Sequence, residues 1–123
     1  LRPNIHIADM VQTYVTLLEA PAEMIAGKIF NAGYENQSVT ELAETVKDVI
    51  GEDVKLKVTP TDDNRSYHIS SDKIRQELGF VAQHSIREAV VDLVEAFEKG
   101  KLPNSLTDER YFNIKRMQSL NLV

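Results

Sequence analysis

At 123 residues the chain is sized for one compact unit. Fourteen basic against nineteen acidic residues give a net charge of −5, which argues against nucleic acid as the main partner, and no run approaches the roughly 20 apolar residues of a membrane span. The absence of cysteine excludes disulfides, thiol nucleophiles and Cys-ligated metals, and suits a cytoplasmic protein. In chain order, Arg2-Pro3-Asn4 leads into a short β run, Ile5-His6-Ile7, and Asp9 stands where a helix N-cap belongs. The helix expected over Met10–Ala20 carries Met10, Val11, Tyr14, Val15, Leu17 and Leu18, an apolar face broad enough to be largely buried. Pro21 opens a loop that ends near Lys28.

Ile29 to Ala32 reads as a strand and Gly33 to Gln37 as a turn. Ser38 and Glu41 form a capping box at the start of a helix that presents Val39, Leu42, Ala43, Val46, Val49 and Ile50, and Gly51 ends it. Val54, Leu56 and Val58 alternate with Lys55 and Lys57, which predicts a half-buried strand. A polar loop over Pro60–Asn64 precedes a short strand at Ser66–Ile69, then a helix from Ser71 to Leu78 closed by Gly79. Ser85 and Glu88 make a second capping box. The helix behind it shows Ile86, Ala89, Val90, Leu93, Val94 and Phe97 and stops at Gly100. Leu102–Asn104 is a linker, and Tyr111, Ile114, Met117 and Leu120 predict an amphipathic tail helix. The fold class is α/β, a mixed α+β fragment with short strands and about four to five helices.

The chemistry-bearing residues are few. Arg2 beside a strand suits phosphate, because its planar fork donates two parallel hydrogen bonds; the alternative is a solvated cation. His6 between two β-branched residues reads as a structural histidine. In Asp62-Asp63-Asn64-Arg65, the acids could orient the guanidinium or contact ribose hydroxyls, against the plainer reading of a polar turn. Tyr111 and Lys115 spell Tyr-x-x-x-Lys, an acid–base pattern in which Lys lowers the Tyr pKa, but any Tyr and Lys one helical turn apart give that spelling. His6 with Asp9 and His68 with Asp72 each offer only two metal ligands. There is no G-x-S-x-G elbow for a serine nucleophile.

Arg2-Pro3-Asn4-Ile5-His6-Ile7-Ala8-Asp9 resembles a signature in the C-terminal half of the extended short-chain dehydrogenase/reductase family, the NAD-dependent sugar-nucleotide epimerases and dehydratases. Phe30-Asn31-Ala32-Gly33 resembles that family's next strand, and Ser38-Val39-Thr40-Glu41-Leu42-Ala43 the helix after it. Arg65-Ser66-Tyr67, Ser71-Asp72-Lys73-Ile74, Leu78-Gly79-Phe80 and Ser85-Ile86-Arg87-Glu88-Ala89 resemble later segments, in the same order. The sequence departs from the commoner pattern at Pro60, where the family often holds a diphosphate-binding Arg; Arg65 would take over that role.

The resemblance implies the C-terminal, substrate-binding portion of an extended Rossmann-type enzyme. Residues 1–100 would form the substrate-binding domain, and 101–123 a linker and tail helix. Arg2, Arg65 and Asp63 would hold the nucleotide-sugar substrate. The family's dinucleotide site needs a Gly-rich turn at a helix N-terminus, and Gly27, Gly33, Gly51, Gly79 and Gly100 form no such turn. The expectation is therefore a fragment lacking the cofactor-binding Rossmann half and the catalytic Tyr. NAD or NADP would belong to the parent isomerase or lyase, with none bound here and no catalytic residue in this chain. A homodimer is left open. The alternative is a self-standing, non-catalytic binding or assembly module of the same fold.

Overall fold

The computed structural model describes residues 1–60 and 65–122. Among them are two strands and six α-helices. Strand β1 (Arg2–Asn4) pairs antiparallel with β2 (Glu35–Gln37), in the register Arg2↔Gln37, Pro3↔Asn36, Asn4↔Glu35. Pro3 has no N–H to give a ladder, and a two-stranded sheet tolerates it because each strand has an open edge. The Asn4 side chain bonds the carbonyls of Arg2 and Glu35 at 2.8 and 3.3 Å, and Tyr34 N–H bonds the Asn4 carbonyl at 2.9 Å. The stretch expected to turn at Gly33–Gln37 thus supplies a strand, while Ile5-His6-Ile7 supplies none. The antiparallel partner, not local propensity, decided both outcomes.

Helix α1 spans Ile7–Glu19, beginning three residues before the sequence reading placed it. Its N-cap is His6, not Asp9: the backbone there is extended, and Nδ1 accepts the Ala8 N–H at 3.1 Å. Asp9 sits in the first turn and points inward. The apolar face expected to be largely buried is only partly covered: Met10, Val15 and Leu17 are half-buried, and the rest of it is open. Ile7, Val11, Tyr14 and Leu18 lie along one side and are exposed, Leu18 at 85 %, while the buried positions of the helix are Asp9 and Thr13. Thr13 satisfies its hydroxyl on the Asp9 carbonyl at 2.9 Å.

The loop expected after Pro21 contains a single helical turn, α2 (Ala22–Ile25). Helix α3 (Val39–Ile50) follows the Ser38–Glu41 capping box, with both reciprocal bonds present, and ends at Gly51, whose φ of 125° favours glycine. Helix α4 (Asp72–Leu78) ends at Gly79 in the left-handed conformation. Helix α5 (Ile86–Glu98) starts from the second capping box, with Ser85 N–H and Glu88 N–H bonding each other's side chains at 2.7 and 3.2 Å. A 3₁₀ turn at Glu109–Tyr111 precedes α6 (Asn113–Ser119). The tail helix therefore begins later than Thr107, because Phe112 is extended and breaks it from the turn before.

The chain divides into two compact units, Leu1–Asp92 and Leu93–Val123. In the first, Ile74, Phe80 and Ala82 are buried together, and Ile5, Phe30, Ala32 and Leu78 lie against them. Ile29–Ala32 and Val54–Val58, both expected as strands, have no ladder partner among the described residues. The first is held to α4 instead: Lys73 Nζ donates to the Ile29 carbonyl at 2.9 Å and stands 4.9 Å from the Phe30 ring centroid, and Lys28 pairs with Glu77 at 2.7 Å. In the second unit, the 3₁₀ turn is capped by Asp108, and Arg116 bonds Glu109.

Candidate functional site

β1 carries Arg2 to one edge of the small sheet. Its Nη1 donates to the Leu1 carbonyl at 3.1 Å and to the carbonyl of Arg65. Its guanidinium carbon is 5.9 Å from the centroid of the Tyr67 ring, within cation–π range. The Arg2 guanidinium thus reaches the backbone of a residue 63 positions away in the chain. Asp63, the third residue of the expected site, lies outside the described residues.

The device that brings residues 65–69 there is the side chain of Asn36. Its Oδ1 accepts from Ile69 N–H at 2.9 Å and its Nδ2 donates to the Ile69 carbonyl at 3.1 Å. A primary amide can match one residue of a strand in this way, offering one donor and one acceptor side by side. The segment expected as a strand at Ser66–Ile69 is therefore fastened to β2 by a side chain rather than by a backbone ladder. Tyr67 N–H adds a 3.3 Å bond to the Leu1 carbonyl.

Gly33 allows the same approach from below. A Cβ on Gly33 would stand 2.6 Å from Ile69 Cδ1 and 3.0 Å from Ile69 Cγ1. The Ser71 hydroxyl donates to the Gly33 carbonyl at 2.8 Å and accepts its N–H at 2.9 Å. Gly33 is thus a place of close side-chain approach rather than a phosphate cradle. Gln37, opposite Arg2 in the register, keeps a buried Oε1 without a hydrogen-bond partner among the described residues. A buried acceptor of this kind is uncommon and sits beside the candidate site.

The dinucleotide chemistry that the family resemblance implies does not fit these residues. Gly27, Gly51, Gly79 and Gly100 have positive φ at separate turns, and none of the five glycines lies at the first turn of a helix as a pyrophosphate cradle requires.

Neither two-ligand pair named from the sequence forms. His6 Nε2 is 3.2 Å from Asp92 Oδ2, whereas Asp9 meets His84 at 2.9 Å. Asp72 bonds Ser70 and Arg75 at 2.7 and 2.6 Å. Among the described residues, no three His, Cys, Asp or Glu side chains gather as metal ligands. Tyr111 lies in the 3₁₀ turn, not on the tail helix, and Lys115 is placed over the Phe112 ring at 4.3 Å. The Asn36 clamp and the Asp9–His84 pair escaped the sequence reading. Asn36 carries the polar signature of a turn, and Asp9 and His84 are 75 positions apart.

No protein-family model matches the chain, and no solved structure matches it. None of the described helices is long and apolar enough to cross a membrane. The chain is similar to a UDP-glucose 4-epimerase from Corynebacterium glutamicum, 33% identical over 102 residues, which cover 79% of this chain and 30% of that relative.

Proposed function

We propose that this chain is the nucleotide-sugar-binding portion of an NAD(P)-dependent sugar-nucleotide epimerase or dehydratase of the extended short-chain dehydrogenase/reductase family. The observation that carries the reading is the approach of the Arg2 guanidinium to the Arg65 backbone and the Tyr67 ring. Two guanidinium groups suit the two phosphates of a nucleoside diphosphate, and each offers a planar array of donors. The similarity to a UDP-glucose 4-epimerase supports the same substrate class. Asp63, two residues before Arg65 in the sequence, would orient a guanidinium or contact a ribose hydroxyl.

The open face of α1 supports the view that the functional protein is larger. A contiguous apolar stripe along a helix is uncommon on a finished surface and marks a contact. Within this reading, residues 1–100 bind substrate and 101–123 form a linker and tail. The cofactor belongs to the Rossmann half, where it would exchange hydride with the sugar; this chain's residues bind the diphosphate and orient the sugar. The protein would be cytoplasmic.

The test is a pair of calorimetric titrations of the chain itself, one with UDP and one with NAD. Heat from UDP that disappears in Arg2→Ala, with no micromolar NAD binding, is the expected result. Micromolar NAD binding by this chain alone would overturn the reading.

A further inference from the structure

One polar cluster lies outside the proposed nucleotide site and does not depend on that reading. Asp9 is 2 % exposed, and both its oxygens are used. Oδ2 accepts the N–H groups of Gln83 and His84 at 3.1 and 2.9 Å, and Oδ1 stands 2.9 Å from His84 Nδ1. Burial pushes the Asp9 pKa up, but the hydrogen bonds from His84 and Gln83 and the His84 charge hold it, on balance, below the usual carboxylate range. The bond to Asp9 raises the His84 pKa against partial desolvation, with added pull from the charges of Asp9, Glu88 and Asp92.

The neighbours of His84 come from several elements. Asp9 faces it from α1, and His6, the N-cap of α1, lies with its ring centroid 4.9 Å away. His6 has its own bonds: Nδ1 accepts from Ala8 N–H, and Nε2 is 3.2 Å from Asp92. Glu88 and Asp92 face His84 from α5, and Glu35 on β2 accepts the Ile86 N–H at 3.1 Å. The cation at that end of α5, Arg87, stands 4.0 Å from Asp48 on α3. The ionisable company of His84 is therefore acidic except for His6.

We propose that Asp9 and His84 form a protonation-dependent latch that fastens the strap 80–85 to the start of α1. The strap matters because Phe80, Val81 and Ala82 wall one side of a cavity of about 170 Å³, closed on the other side by residues that include Tyr34, Ile69 and Arg75. With the imidazole protonated, Asp9 holds the strap by one ion pair and two backbone N–H bonds. With it neutral, the backbone bonds remain and the ring, as its Nδ1–H tautomer, still donates to the carboxylate but no longer carries the opposite charge. What deprotonation removes is the attraction between the two opposite charges. The folded-state pKa of His84 lies above its unfolded value of 6.5. The latch's contribution is thus full below 6.5 and is lost as pH rises through the raised value.

Amide hydrogen exchange on the chain, corrected for the intrinsic pH dependence of exchange, reads the latch directly. Protection of the Gln83 and His84 N–H groups should fall about five-fold as the ion pair gives way to a bond from a neutral ring. In His84→Gln, protection should be lower and level across the same pH range. Level protection in the wild-type chain, or an equal fall in His84→Gln, overturns the proposal. Should His84→Gln fail to fold, proton NMR of the wild-type imidazole decides: titration above 6.5 supports the latch, and titration at or below 6.5 refutes it.

Discussion

The guanidinium of Arg2 donates to the backbone carbonyl of Arg65. The contact uses the Arg65 backbone, so replacing the Arg65 side chain does not remove it. The two residues should therefore be separable by mutation.

Arg2→Ala and Arg65→Ala, made in the full-length protein, should each weaken nucleoside diphosphate binding about ten-fold or more, the usual worth of a charge-assisted bond. Arg2→Lys should recover only part of the loss, because an ammonium group cannot donate in parallel to two oxygens. Calorimetry with UDP measures all three. Wild-type affinity in both alanine variants would remove the diphosphate site from this chain.

Gly33→Ala should destabilise the unit Leu1–Asp92. The added methyl stands 2.6 Å from Ile69 Cδ1, and overpacking of this kind typically costs about 1–3 kcal/mol. Ile69→Val removes the nearest atom, so Gly33→Ala with Ile69→Val should be more stable than additivity predicts. Urea denaturation of the four proteins completes the cycle, and strict additivity would rule out the clash.

The tail should respond to acid. The Arg110 guanidinium beside Asp108, with the Arg110 N–H, holds the Asp108 carboxyl down to about 2, from an ordinary 3.8. A depressed carboxylate pKa contributes stability that is present above 3.8 and is lost as pH falls toward 2. Circular dichroism should show helix content in wild type falling over that window by more than in Asp108→Asn. Identical acid profiles would refute the assignment.

In a parent enzyme of the kind proposed above, Tyr111→Phe should leave turnover nearly unchanged and alter stability by no more than about 1 kcal/mol. Lys115 is engaged with the Phe112 ring. Steady-state kinetics checks this directly. A drop of roughly 10² or more, the loss expected when a general acid or base is removed, would mean that Tyr111 is catalytic.

Both capping boxes were legible in the sequence because each is a contract among residues three positions apart. Ser38 with Glu41 and Ser85 with Glu88 need no distant partner, and Gly51 and Gly79 end their helices for equally local reasons. Strands were another matter. Val54–Val58 has the right alternation, yet Val58 is 95 % exposed and no strand among the described residues pairs with it. Alternation states what a strand could bury and says nothing of a neighbour's presence.

The sequence alone determined the boxed starts of α3 and α5, the glycine stops at Gly51 and Gly79, and the residue types available to bind a diphosphate. Tertiary structure decided which segments pair, that Asn36 would stand in for a strand, that the apolar side of α1 would lie open, and that Asp9 would leave its own helix cap to hold His84. The reason is range: a cap is settled by atoms within one turn of backbone, whereas a buried carboxylate is settled by whichever donors the whole chain brings to it.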